Sequence, residues 1–110
     1  MTGGVLIVGA SRGTGLEVAR LLERRGGTVT AFVRPTTDMA GLLKLRVKLF
    51  RGDVLDPPSV EGAFASGSFR AVIDTVGGKR GEPRPDYHGT RNLVDAARAA
   101  GVPRFILVTA

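Results

Sequence analysis

Where the apolar run Val5–Val8 gives way to a helix-like pattern beginning at Thr14 stand three glycines, Gly9, Gly13 and Gly15, spaced G-x-x-x-G-x-G. At a strand-to-helix junction each has a separate use. Gly9 lets the chain leave the strand in a tight turn, Gly13 lets backbone come close to a pyrophosphate, and Gly15 lets the helix pack against the strands. The unpaired N–H groups at the helix start, aided by its dipole, then face an anion. With Ser11, Arg12 and Thr14 between them, these glycines form a candidate dinucleotide cradle. A tight turn alone is the competing explanation, but three glycines in register exceed what a turn requires. A kinase-type phosphate loop is excluded, because no Lys-Ser/Thr pair follows the last glycine.

About 20 residues past such a loop, NAD-selective sites often carry an Asp or Glu that binds the ribose 2′-hydroxyl. This chain has Arg34 there, in "FVRP", and Arg12 can reach the same corner. Two guanidinium groups favour a 2′-phosphate through charge-assisted, bidentate-capable bonds. NADP(H) is therefore the preferred cofactor and NAD(H) the second candidate. A solvated arginine at a strand end is the plainer explanation of Arg34. In "FRGDVLD", Asp53 can accept from an adenine amino group and Val54 can cover the ring, although Asp also simply forms turns. Asp56, before two prolines, reads as a helix cap. The backbone of Val76 and Gly77, in "TVGG", comes close to the cofactor ribose, and a simple turn explains these residues nearly as well.

These residues need elements to hold them. Val5–Val8, Thr28–Val33, Arg46–Phe50, Ala71–Val76 and Arg104–Thr109 read as strands, rich in β-branched and aromatic residues. The first and last are nearly continuous apolar runs, which suits strands covered on both faces. The alternating "RVKLF" suits a more exposed place. Thr14–Arg25 and Asp86–Ala100 carry helical stripes, the second through Thr90, Leu93, Val94 and Ala97. Gly26 and Gly101 mark their ends. Asp38–Leu45 and Pro57–Phe64 predict shorter helices, Pro57 and Pro58 fitting a first turn. Such alternation predicts an α/β fold: a Rossmann-like, doubly wound parallel sheet of five strands in the order 3-2-1-4-5, with flanking helices. Gly77–Pro85 would overhang its carboxyl edge.

With 110 residues the chain fits a single domain, residues 1–110. It has no cysteine, which excludes disulfides, thiolate metal sites and a Cys nucleophile. Nothing in the sequence around His88, the only histidine, suggests a relay or a metal site, so no metal site is assigned. A net charge of +6 favours anionic ligands. The arginines are dispersed and aromatics make up only 5%, which argues against a specific nucleic-acid groove with stacking platforms. No apolar run approaches the roughly 20 residues needed to cross a bilayer, and the N-terminus lacks the pattern of a secretory signal. The expectation is a cytoplasmic protein that does not engage membranes.

Taken together, "GASRGTG", "GDVLD" and "DYHGTRNLVDAARAAGVPRFILVT" resemble the short-chain dehydrogenases/reductases, specifically their atypical, extended-like branch. The resemblance spans the chain but only the N-terminal part of that family's fold. It implies an NAD(P)-dependent oxidoreductase or epimerase acting on a small carbonyl, quinone or sugar-nucleotide substrate. The alternative is a non-catalytic module that senses NAD(P)H. Where family members use a Ser and a Tyr-x-x-x-Lys pair, these follow the fifth strand, so no catalytic residue is assigned here. Tyr87 and Arg91 do not substitute, because a guanidinium stays protonated and lacks the compact geometry of an ammonium. Tyr87 reads instead as a packing residue. The apolar fifth strand needs cover, from self-association or from a further C-terminal segment.

Overall fold

A computed structural model of the chain describes residues 3–11, 13–35, 38–75 and 88–108. Its elements are β1 (Gly4–Val8), α1 (Gly13–Arg24), β2 (Val29–Val33), β3 (Lys48–Arg51), α2 (Pro57–Ala65), β4 (Phe69–Asp74), α3 (Thr90–Ala99) and β5 (Phe105–Leu107). All neighbouring strands pair in parallel, in the order β3-β2-β1-β4-β5. This is the predicted Rossmann-like sheet, with its switch point between β1 and β4.

The alternation of side chains along β1 explains why helices cover both faces. Val5 and Ile7 point to one side, where they pack with Ala19 of α1, Met39 and Leu42. Leu6 and Val8 point to the other, joining Val60, Ala63 and Phe64 of α2 and Leu93 and Ala97 of α3. Each of these four β1 side chains is fully buried, which stabilises the fold by about 1.5–3 kcal/mol apiece. Both long helices stop at the anticipated glycines. The Gly26 and Gly27 N–H groups bond to the Glu23 and Leu22 carbonyls, and those of Gly101 and Val102 to Arg98 and Ala97.

Several expectations need correction, among them the start of the fourth strand, at Phe69 rather than Ala71, and that of the fifth, at Phe105 rather than Arg104. The segment Asp38–Leu45 forms no α-helix, only a 3-10 turn at Leu42–Lys44. Asp38 Oδ1 accepts the Ala40 N–H at 3.0 Å, a local turn bond that competes with helix formation. Gly41 lies so close to α1 that a Cβ there would fall 2.8 Å from Leu16 Cδ2. The third strand begins at Lys48 rather than Arg46. The α-helical part of the last helix begins at Thr90, after a π-type turn at His88–Gly89. Finally, β5 is not covered on both faces: Ile106 is 47% and Leu107 46% exposed. The opposite edge differs, since β3 exposes Lys48 and Arg51, charges of the kind that discourage edge-to-edge pairing. The stretch Gly77–Pro85 lies outside the described residues. Among the described residues, no helix is long and apolar enough to cross a membrane, and no cluster of His, Asp or Glu could hold a metal ion.

Candidate cofactor site

A parallel sheet brings every strand's carboxyl end to one edge, and short bonds lace that edge together. The Gly9 N–H donates to the Phe32 carbonyl (3.2 Å), Gly52 to Val33 (2.9 Å) and Thr75 to Val8 (3.0 Å). The residues that leave β1, β2, β3 and β4 thus share one rim, at the switch point where open α/β sheets bind ligands.

At the first junction the backbone itself makes the site. Gly13 has φ +59°, and nothing lies within 4 Å of where its Cβ would be, so open space fronts the start of α1. The first turn of α1 holds no acidic residue, so its unpaired N–H groups meet no competing carboxylate of their own. Gly15 allows the closest approach among the described glycines. A Cβ there would sit 2.3 Å from the Gly9 carbonyl oxygen and 2.7 Å from Thr75 Oγ1. The Thr75 hydroxyl, 2.7 Å from the Val8 carbonyl and 3.2 Å from that of Gly9, ties β4 to this loop. Free donors, open space and absent negative charge fit a pyrophosphate. Ser11 is half-buried and Thr14 exposed beside this space, while Arg12 lies outside the described residues.

After β2 and β3, side chains do more of the work. Arg34 is exposed immediately after β2. Asp53 is exposed after β3, and its Oδ1 accepts the Leu55 N–H at 2.9 Å. Its carbonyl accepts the Asp56 N–H at 3.0 Å, so Asp53 closes a turn whatever else it binds. Val54 is buried, with its side chain in the core beside Leu93. Asp56 occupies the cap position of α2 but accepts from Ser59 Oγ (2.9 Å) rather than from a backbone N–H. Val76, Gly77 and Tyr87 lie outside the described residues.

Asn92, Thr90 and Asp74 also join this side. Asn92 Nδ2 donates to the Val54 carbonyl at 2.9 Å. Thr90 Oγ1 donates to Oδ2 of the wholly buried Asp74 at 2.9 Å. In the sequence Thr90 stands only as one position of a helical stripe. The one available signal was a hydroxyl and an amide on the inward side of an amphipathic helix. Leu55, Pro57, His88 and Asn92 surround an open depression of about 340 Å³ next to this turn.

Comparison with known proteins agrees with this geometry. The chain is 30% identical over 106 residues to the Photosystem II assembly factor Ycf39 of Cyanophora paradoxa, a match covering 93% of this chain and 32% of that protein. It superposes on the anaerobillin reductase ChuY of Escherichia coli O157:H7 with a TM-score of 0.80 at 30% identity, over 97% of this chain and 50% of that one. UDP-glucose 4-epimerase from Brucella ovis, solved with NAD, gives a TM-score of 0.84 at 23% identity, over 96% of this chain and 35% of the epimerase, and shows the shared fold. The chain therefore spans a third to a half of these proteins. A family model described as NAD(P)H-binding matches residues 9–110. The chain belongs to this NAD(P)H-binding family and has the Rossmann-like fold that these proteins share.

Proposed function

We propose that this domain selects NADP(H) over NAD(H) and serves a reductase-type reaction. The observation that supports selectivity is Arg34, exposed at the end of β2 where NAD-selective sites place a carboxylate. The next acid along the chain, Asp38, is engaged with the Ala40 N–H. A guanidinium at that corner binds a 2′-phosphate strongly and a 2′-hydroxyl weakly. The first turn of α1 holds the pyrophosphate, Ser11 and Thr14 flank it, and the turn at Asp53 receives the adenine. The cofactor supplies the hydride, and the protein positions it.

The reductase direction draws support from ChuY, a reductase at 30% identity over nearly the whole chain. A small carbonyl or quinone is the substrate class we favour, with a sugar nucleotide second. The exposed Ile106 and Leu107 give β5 an apolar margin that a further segment or a second copy of the chain would cover. Calorimetric titration with NADPH and NADH, on the wild type and on Arg34→Asp, tests the selectivity. NADPH should bind the wild type at least about tenfold more tightly, as one charge-assisted contact permits. Arg34→Asp should abolish or reverse that preference. Equal binding of both cofactors by the wild type would defeat the selectivity claim, and binding of neither would defeat the cofactor reading.

A further inference from the structure

We infer that the first turn of α3 positions the adenine side of this site and that Asn92 is its positioning residue, holding the Val54 carbonyl and with it the turn Asp53–Asp56. The inference rests on the reading of this edge as a dinucleotide site.

The peptide group between Val54 and Leu55 is held at both ends. Its carbonyl accepts from Asn92 Nδ2 at 2.9 Å, and its N–H donates to Asp53 Oδ1 at 2.9 Å. With both ends tied, the peptide plane cannot turn over, and the Asp53 carboxylate is fixed relative to the rim. Asn92 reaches this peptide across 38 positions of sequence, so the bond welds α3 to the loop after β3.

Two further features show how α3 comes to lie there. A Cβ at Gly89 would fall 2.7 Å from Val54 Cγ2, so the turn entering α3 comes this close only because residue 89 is glycine. Thr90 Oγ1, bonded to buried Asp74, ties the same helical turn to the end of β4. The first turn of α3 thus stands on β4 and reaches to the adenine turn. Asn92 touches no cofactor atom in this account and acts through Val54 and Asp53.

The test compares Asn92→Ala and Asn92→Asp with Val102→Ala, which trims the same core at the opposite, amino end of the sheet. Calorimetry would follow 5′-AMP, NADPH and reduced nicotinamide mononucleotide, and amide hydrogen exchange would follow Leu55 and Asp56 without ligand. Losing one hydrogen bond should weaken 5′-AMP and NADPH by about fivefold in Asn92→Ala. Asn92→Asp, which sets an acceptor against a carbonyl, should weaken them more. Nicotinamide mononucleotide should be unaffected, exchange at Leu55 and Asp56 should quicken, and Val102→Ala should retain wild-type 5′-AMP affinity despite a lower melting temperature. Unchanged 5′-AMP affinity in Asn92→Ala, or an equal loss in Val102→Ala, would overturn the inference. If the wild type binds neither 5′-AMP nor NADPH, the dinucleotide reading itself fails and takes the inference with it. Unaltered exchange in Asn92→Ala would overturn the positioning role independently of any ligand.

Discussion

The two ends of the candidate site are built from different materials. At the β1–α1 junction the working parts are backbone: N–H groups of a helix start, the open space before Gly13, and a helix-to-strand approach that only Gly15 permits. At the β3–α2 junction they are side chains: Asp53 closing its turn, and Asn92 holding Val54 from a distant helix. Backbone geometry cannot be adjusted by a rotamer change, so the first junction should tolerate almost no substitution. The second consists of separable bonds and should weaken by degrees.

Gly15→Ala is the hardest blow to the first junction. The methyl group would press on the Gly9 carbonyl, in a residue held by its N–H bond to the Phe32 carbonyl and by the Thr75 hydroxyl. Overpacking of this kind costs about 3 kcal/mol or more. Thermal melting should fall by roughly 10 °C or more, as expected for a chain of this size, and NADPH binding should disappear. Melting within a degree or two of wild type would mean that α1 does not depend on this approach.

Gly13→Ala separates binding from stability. Its left-handed conformation costs an alanine about 1–2 kcal/mol, and the methyl group meets no protein atom within 4 Å. Melting should drop only moderately, while NADPH affinity should fall by more than about tenfold (~1.4 kcal/mol) because the methyl occupies the space assigned to pyrophosphate. The opposite pattern, with lowered stability and preserved affinity, would make Gly13 a turn residue only.

Asp53→Asn should have the smallest effect. The amide oxygen can still accept the Leu55 N–H, so the turn survives and melting should stay within about 2 °C, in line with a minor surface change. The single amide oxygen, with two lone pairs, must then serve both the Leu55 N–H and adenine, so NADPH should bind a few-fold more weakly. A loss as large as that of Gly13→Ala would erase the distinction between the two junctions.

The same contrast explains what could be read from sequence. The glycine junction lies within seven consecutive residues, and the conformational demands of glycine make each position interpretable. The sheet order follows from apolar strands alternating with amphipathic helices, and parallel crossovers restrict the arrangement. The adenine side was only half legible. Asp53 announced a turn, but nothing near Val54 points to Asn92, 38 positions away. At Asp38–Leu45 the helical pattern gives way to the turn that Asp38 makes with the Ala40 N–H, and the close approach of Gly41 to Leu16 is a tertiary feature that local propensity does not contain. The exposure of β5 was equally hidden, because "FIL" reads the same whether or not something covers it.

Amide chemical-shift mapping of the chain on addition of NADPH, at physiological salt, tests the central claim most directly. The account predicts shifts at both junctions together: residues 9–16 on one side, and Arg34 with residues 52–55 on the other. Shifts spread over the basic β3 edge from Lys44 to Arg51, and lost as salt rises, would show instead a non-specific attraction of the positively charged surface for an anion, and would contradict it.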